Sequence, residues 1–154
     1  MQLAATIAVV LSVLVLAFQA RALAAQSRVA NEVAGTQAHR EILFHFNAVI
    51  NPVFIQYPEL YGYFYDETTA TPSASDSVRL KALADQFASW FETGFITSEQ
   101  LGAYAHGIGD WAGYFTRQLA ASTPLRSYLR DNPGLFPVLD PFLAKYDASH
   151  PQSR

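Results

Sequence analysis

The N-terminal stretch Leu3–Phe18, LAATIAVVLSVLVLAF, decides how the rest of the chain is organised. It carries no charged residue and consists almost entirely of Leu, Val, Ile and Ala. As a helix, residues 3–20 span about 27 Å, close to the ~30 Å hydrocarbon core of a bilayer. Arg21 follows, where its head group can extend to the interface. The sequence therefore predicts a transmembrane anchor at residues 1–20, with residues 3–20 in contact with lipid.

Two other interpretations of this stretch stay open. A cleaved signal peptide would leave a secreted helical domain, and Ala20–Ala22 and Ala22–Ala24 resemble small-residue cleavage sites. However, only Met1 and Gln2 precede the apolar run, neither is basic, and the run is long for a signal peptide. A buried helix of a soluble protein is the other alternative. We favour the uncleaved anchor.

The basic residues predict the orientation of the anchor. Arg21, Arg28 and Arg40 follow the apolar segment, and no Lys or Arg precedes it. The positive-inside rule then places the C-terminal side in the cytoplasm. We therefore expect a single-pass protein of the bacterial inner membrane with a cytoplasmic domain.

Composition limits what the remaining part of the chain can be. With the anchor removed from the 154 residues, about 130 remain, enough for one domain with a hydrophobic core. Every aromatic residue except Phe18 lies in this part, so the part is not disordered. The formal net charge is −3 without a basic run, which argues against a nucleic-acid partner. The lack of Cys excludes disulfides, thiol catalysis and thiolate metal sites.

The hydrophobic periodicity is helical throughout, and no segment alternates as a strand does. The predicted fold class is all-α: a single N-terminal transmembrane helix with a stalk, followed by a small bundle of about five helices. We divide the chain into the anchor at 1–20, a helical stalk at 21–38, an all-helical domain at 39–147 and a frayed tail at 148–154. The weak apolar positions of the stalk (Leu23, Val29 and Val33) suit either a spacer or a weak self-association helix.

Pro, Gly and capping residues set the expected helix boundaries in the domain. The first helix begins at His39, with Leu43 and Val49 on its buried face, and either kinks at Pro52 or restarts there with Asn51 as cap. A short helix follows Pro58, and residues 66–77 form a loop. The next helix is expected from Ser75–Asp76 to Gly94, with Lys81, Asp85 and Glu92 on its solvent-exposed face. A capping box at Thr97–Gln100 and the pair of Ser122 and Pro124 each predict the start of a further helix. A turn at Asn132–Gly134 then precedes a last helix from Asp140 to near Tyr146.

The first candidate site is the segment YPELYGYFYD at residues 57–66, with four tyrosines in a short span. One interpretation is structural: Leu60, Tyr63 and Phe64 pack on the bundle while hydroxyl groups reach water. The other is a binding edge for a partner or ligand, since rigid tyrosine surfaces make good contacts. The candidate binding residues are Tyr57, Glu59, Tyr61, Tyr63 and Tyr65.

The order of anchor, Gln/Ala-rich stalk and Pro-Glu-Leu-x-x-Tyr-Phe-Tyr-Asp at residues 58–66 resembles a family of small bacterial membrane-anchored proteins of unknown function. The likeness continues at Trp111 and Tyr114, then at Ser122, Leu125–Arg126 and Tyr128–Leu129. The chain differs at Tyr61–Gly62, where the resemblance leads us to expect a basic residue and then Pro or a polar residue. The resemblance implies this topology and an all-helical domain, and it implies no activity.

A second candidate is a stripe of small residues on the helix predicted after Thr97. Gly102, His106, Gly109 and Gly113 are spaced four, three and four residues apart and would share one helix face. Each interior Gly costs roughly 1 kcal/mol relative to Ala, so a compensating close contact is expected. That contact is either an intramolecular helix crossing or a groove for a partner helix or small ligand.

A third candidate is a set of ionisable pairs four residues apart, Glu41 with His45 and His106 with Asp110. Two such pairs on facing helices could hold a metal, but the Glu-x-x-His pattern of di-iron bundles is absent. Solvated i,i+4 pairs are the simpler interpretation, and we predict no metal and no cofactor.

No motif for nucleophilic catalysis, phosphate binding or dinucleotide binding is present. The sequence therefore favours a non-enzymatic role: a membrane-anchored helical protein that binds a protein partner or itself at the inner membrane face. A metal- or ligand-binding enzyme domain tethered near the membrane is the alternative.

Overall fold

The computed structural model describes residues 2–101 and 110–151. Those residues form helices joined by turns and loops and contain no strand, so the all-α fold class is confirmed. The elements are α1 (Gln2–His45), a π-helical turn (Phe46–Ile50), α2 (Asn51–Gln56), α3 (Glu59–Phe64), α4 (Ala74–Leu101), α5 (Trp111–Ala121), α6 (Thr123–Asp131) and α7 (Asp140–Ser149).

Helix α1 is a single helix of 44 residues that begins in the predicted anchor and ends inside the domain. Its length is roughly 66 Å at 1.5 Å per residue. No boundary exists at His39, where we expected the first domain helix to begin. Every side chain described between residues 2 and 34 is exposed, and Gly35 is the first buried residue. The domain therefore packs only against the C-terminal part of this helix.

The N-terminal part of α1 is long and apolar enough to cross a membrane. It contains an 18-residue window of mean hydropathy 1.5, and none of that window is buried in the protein. The lack of burial distinguishes it from the core helix of a soluble protein. An N-terminal signal sequence can reach the same mean hydropathy.

The π-helical turn explains how the helix continues past Pro52. The Asn51 N–H donates to the carbonyl of Phe46, five residues earlier, which widens the helix by one residue. Proline has no N–H and its ring crowds the carbonyl four residues back, so a wider turn accommodates it. Two helices result, joined without a break by the π-helical turn. Asn51 does not cap the second of them, because Ile50 occupies the capping position without a side-chain bond.

Helix α4 is the centre of the domain and packs against α1, α3, α5 and α6. Its buried residues recur at the three- and four-residue steps of a helix face, and Phe95 near its end is partly buried. The ring of Phe87 is fully buried and stacks on Phe64 at 4.6 Å between centroids. The core residues contributed by α4 are Leu80, Leu83, Ala84, Phe87, Ala88, Trp90 and Phe91.

The predicted boundaries around Gly94 and Thr97 are wrong. Helix α4 runs through both residues to Leu101, so the expected capping box lies inside a helix. Gly94 is instead a close-contact position: a Cβ atom there would lie 2.9 Å from Cζ2 of Trp111. Because glycine has no side chain, the indole can pack directly on the helix backbone. Helix α5 begins at Trp111, with Asp110 as its N-cap.

The solvent-exposed face expected for α4 is partly wrong as well. Lys81 is exposed, but Asp85 accepts a 2.6 Å hydrogen bond from the Tyr128 hydroxyl. Glu92 is half-buried, and its Oε1 accepts the backbone N–H of Val138 at 3.2 Å. These two carboxylates join α4 to α6 and to the loop before α7, which periodicity alone does not indicate.

The remaining boundaries follow the capping residues closely. Ser73 caps α4, since its Oγ accepts the Asp76 N–H at 3.1 Å, so the helix begins one residue before Ser75. Ser122 caps α6 as predicted, accepting the Leu125 N–H at 3.2 Å. Helix α7 begins at Asp140 as expected but ends at Ser149 rather than near Tyr146.

The extension of α7 has a visible cause. The carboxylate of Asp147 accepts two hydrogen bonds from the guanidinium of Arg130, at 3.1 and 2.5 Å. This bidentate pair raises the pKa of Arg130, chiefly through the hydrogen bond to Asp147. Because Asp147 is held against α6 in this way, the helix continues past it.

Candidate functional site

The tyrosine segment at residues 57–66 is first of all a structural element. Leu60 and Phe64 are completely buried beneath α3, and Tyr63 is half-buried against the core, as the structural interpretation predicted. Tyr57 lies under the guanidinium of Arg79, which is 4.2 Å from the ring centroid. This short helix therefore uses most of its aromatic surface to attach itself to α4.

The other two tyrosines form a small aromatic cluster with Phe54. The rings of Tyr61 and Tyr65 are 4.7 Å apart, and both contact the ring of Phe54. Burial, followed by the nearby phenols of Tyr114 and Tyr61, raises the pKa of Tyr65. Tyr61 is 47 % exposed and Glu59 is exposed, so these two of the five candidate residues offer the most surface to a partner.

Asp66 links the tyrosine segment to the start of α6. Its backbone has a φ of 56°, which is uncommon for a residue with a side chain. Its Oδ2 accepts hydrogen bonds from the backbone N–H and the hydroxyl of Thr123, both at 2.9 Å. The hydroxyl oxygen of Ser122 accepts the N–H of Leu125 in the same way. Two N–H groups at the start of α6, those of Thr123 and Leu125, therefore have hydrogen-bond partners.

Arg126 completes the same corner from the other side. It is only 7 % exposed and donates to the carbonyls of Leu119 and Ala120 at the end of α5. Its other terminal nitrogen donates to the Thr123 hydroxyl at 2.6 Å and lies 3.6 Å from Asp66. The guanidinium thus caps the C-terminus of α5 while the carboxylate caps the N-terminus of α6.

The tyrosine segment and the start of α6 therefore meet in space. Asp66 ends the first stretch, and Ser122 and Arg126 belong to the second. Sequence reasoning treated them as separate and missed this contact. A lone Asp after an aromatic helix and a lone Arg among apolar positions of α6 were the available signals. Their contacts indicate that these residues hold the α5–α6 corner together.

Three residues of the small-residue stripe, Gly102, His106 and Gly109, lie outside the described residues. Gly113 has a local reason to be glycine. A Cβ atom there would lie 1.9 Å from Oδ2 of Asp110, whose Oδ1 accepts the Gly113 N–H at 2.8 Å. The carboxylate that caps α5 folds over residue 113 and leaves no room for a side chain.

Of the ionisable pairs, Glu41 and His45 lie in an open cleft of about 260 Å³ between α1 and α4. Nε2 of His45 is buried and has no hydrogen-bond partner. Asp110, from the other pair, is the cap of α5. Within residues 2–101 and 110–151, no three His, Asp or Glu side chains converge as metal ligands would. The described residues lining the cleft are Ala38, Glu41, Ile42, His45, Ser89, Trp90, Thr93 and Thr97.

An exposed apolar stripe runs along the outer side of α1. At about 100° per residue, Val29, Val33 and Phe44 lie on the side of the helix opposite Ile42, which faces the domain. Val29 is 56 % and Val33 is 51 % exposed. We expected Leu43 and Val49 on the buried face, but both are exposed, because they lie on sides of the helix turned away from α4.

Comparison with known proteins adds no relative: no family model, no curated protein and no solved structure matches this chain.

Proposed function

We propose that the chain is a single-pass protein of the bacterial inner membrane that associates with a second copy of itself through the outer side of α1. Residues 3–20 span the bilayer, and Arg21 and Arg28 keep the helical domain in the cytoplasm. The observation that carries this proposal is the apolar stripe on the side of α1 turned away from the domain.

The stripe continues the anchor without a break. Phe18, Ala22, Val29 and Val33 follow one another at steps of four and seven residues along one uninterrupted helix, so they share one side of it. Ala22 is small enough for two helices to approach closely where they leave the bilayer. Arg40 lies on the same side, and two such charges facing each other repel. The interface therefore extends from the membrane to Val33 and ends before Arg40.

A second copy suits this stripe better than an unrelated partner. Identical anchors hold each residue at the same height above the bilayer, so parallel copies bring Val29 to Val29 and Val33 to Val33 without adjustment. On the flank, Arg28 lies 3.8 Å from Glu32 of its own helix, so this pair brings no net charge to the contact. The domains, packed on the opposite side of α1, leave the stripe open.

Disulfide trapping in native membranes tests the interface, because the chain has no Cys of its own. We expect Val29→Cys and Val33→Cys to form disulfide-linked dimers on mild oxidation. Asn31→Cys is the matched control, since Asn31 is also exposed but lies on the same side of the helix as Ile42. Equal crosslinking at residues 29 and 31, or none at 29 and 33, would exclude this interface.

Two further measurements test the membrane part of the proposal. A Cys at Ser153 should react with a membrane-impermeant maleimide only after cells are lysed; labelling of intact cells would reverse the orientation. Mass spectrometry should find the N-terminus intact. A chain beginning near residue 23 would instead support the secreted domain. If a different protein co-purifies and its binding depends on Tyr61, the contact is with an unrelated partner and does not use the stripe.

A further inference from the structure

We propose that the cleft between α1 and α4 binds a small organic cation, with Glu41 as the counter-ion and the indole of Trp90 as its aromatic wall. The cleft lies on the domain side of α1, away from the stripe. This inference therefore does not depend on self-association.

The cleft has the size and lining of a site for a small molecule. Its volume of about 260 Å³ is slightly below the ~300–1,000 Å³ of pockets for drug-sized ligands. Ala38 and Ile42 of α1 form one apolar wall, and Trp90 of α4 forms the other. The Trp90 N–H donates to the Ile42 carbonyl at 2.9 Å, which fixes the indole and joins the two walls. The walls are thus held in place without a ligand.

Three polar side chains of the cleft offer hydrogen-bond acceptors, and the hydroxyl groups of Ser89 and Thr97 can either donate or accept. The Thr93 hydroxyl donates its proton to the carbonyl of Ser89 at 2.8 Å, so only its oxygen lone pairs remain available to a ligand. Nε2 of His45 is buried without a partner and accepts whenever the ring proton is on Nδ1. The exposed carboxylate of Glu41 adds two more acceptor oxygens. A ligand that brings several N–H donors satisfies this arrangement.

The charge of the cleft also favours a cationic ligand. No Lys or Arg is among its described lining residues, and Glu41 is the only carboxylate among them. A primary ammonium group offers three donors and a positive charge, and the face of an indole attracts such a cation. Because the lining is largely apolar, the rest of the ligand should be a short hydrocarbon or a ring.

Benzylamine and benzyl alcohol form a suitable pair of probes, since they share the ring and differ in charge. We would titrate each into the full-length protein in mild detergent and follow the two indole N–H resonances by NMR, with protein-free micelles as reference. We expect benzylamine to shift the Trp90 resonance saturably and to bind about tenfold more tightly than benzyl alcohol, the ratio that a charge-assisted hydrogen bond of about 1.4 kcal/mol gives.

Three variants test the location of binding. Glu41→Gln should remove the preference for the amine, whereas Glu67→Gln, at an exposed carboxylate outside the cleft, should keep it. Ala38→Leu leaves the charge but fills the cleft, and should weaken both probes. The proposal is overturned if the two probes bind equally to the unmodified protein, if Glu41→Gln binds the amine unchanged, or if Ala38→Leu binds both probes as before.

Discussion

The two parts of α1 differ in how their side chains are buried although they belong to one helix. Between residues 2 and 34 every described side chain is exposed, and this part contains the most apolar segment of the chain. From Gly35 onward the helix is amphipathic: Ile42 of α1 is buried against the domain, and so is Ile50 of the π-helical turn that follows. The first part is apolar enough for a bilayer to stabilise it, whereas the second is stabilised by packing on α4. Apolarity alone therefore does not tell which residues form the protein core.

The largest expected effect tests this contrast directly. Phe87→Ala should lower the free energy of unfolding of the domain by about 3–5 kcal/mol, because it leaves a cavity where the ring met Phe46, Phe64 and Trp90. Urea unfolding in mild detergent, followed by tryptophan fluorescence, measures it. Leu14→Ala is the control in the exposed part and should leave this free energy unchanged. Comparable losses in both variants would show that the two parts are not independent.

The second effect concerns the corner between α5 and α6. Arg126→Ala should destabilise the domain by about 2–4 kcal/mol, since it removes the donors to two helix-end carbonyls and leaves Asp66 without its counter-ion. The matched control is Arg28→Ala in the exposed part of α1, where loss of a solvated pair should cost less than about 0.5 kcal/mol. A loss below about 1 kcal/mol at Arg126 would contradict a capping role for the guanidinium.

A pair of helical glycines tests how tightly the packed part is built. Gly94→Ala should cost about 1–3 kcal/mol, because the new methyl group overlaps the Trp111 indole. Gly62→Ala should be neutral or slightly stabilising, since its Cβ would lie 3.6 Å from the nearest side-chain atom of Thr68 and alanine favours a helix. The same urea unfolding measures both. If the two variants behave alike, the contact at Gly94 is not tight.

The smallest effect depends on pH. The hydrogen bond to Asp85 raises the pKa of Tyr128 to about 12, so the protonated phenol is favoured in the folded state. This contribution is complete below the unfolded pKa near 10 and is lost as the pH rises from there through about 12. Tyr128→Phe should cost about 1 kcal/mol at pH 7, a value that allows for partial solvation of the pair. The variant should also lose less stability between pH 10 and 12. An unchanged alkaline profile would exclude this origin.

Much of the fold could be predicted from the sequence, because local physics sets it. The buried stripe of α4, the cap at Ser122 and the start of α7 at Asp140 follow from periodicity and capping chemistry. Gly94 and Thr97 were misjudged for a common reason. A glycine that ends a helix and a glycine that admits a neighbouring ring look identical in one dimension, and a Ser/Thr-rich turn is a cap only if the helix before it has ended.

The candidate sites, too, could be predicted from the sequence only where a local pattern indicates them. The sequence drew attention to the residues that form them: the tyrosine segment, the pair Glu41 and His45, and the weak apolar positions of the stalk. It did not indicate that Asp66 meets Thr123 and Arg126, or that Ser89 and Trp90 face His45 across a cleft. Such contacts join residues far apart in the chain, and no local pattern encodes the distance between them.

By itself, then, the sequence determined an all-helical chain with an N-terminal helix apolar enough to enter a membrane, since hydrophobic period and helix capping act within a few residues. Only the tertiary structure decided which apolar residues of α1 are buried and which remain exposed, and which polar residues meet. Those outcomes depend on how α4 lies against α1 and on where α6 is fixed. Both depend on packing between helices that are distant in sequence.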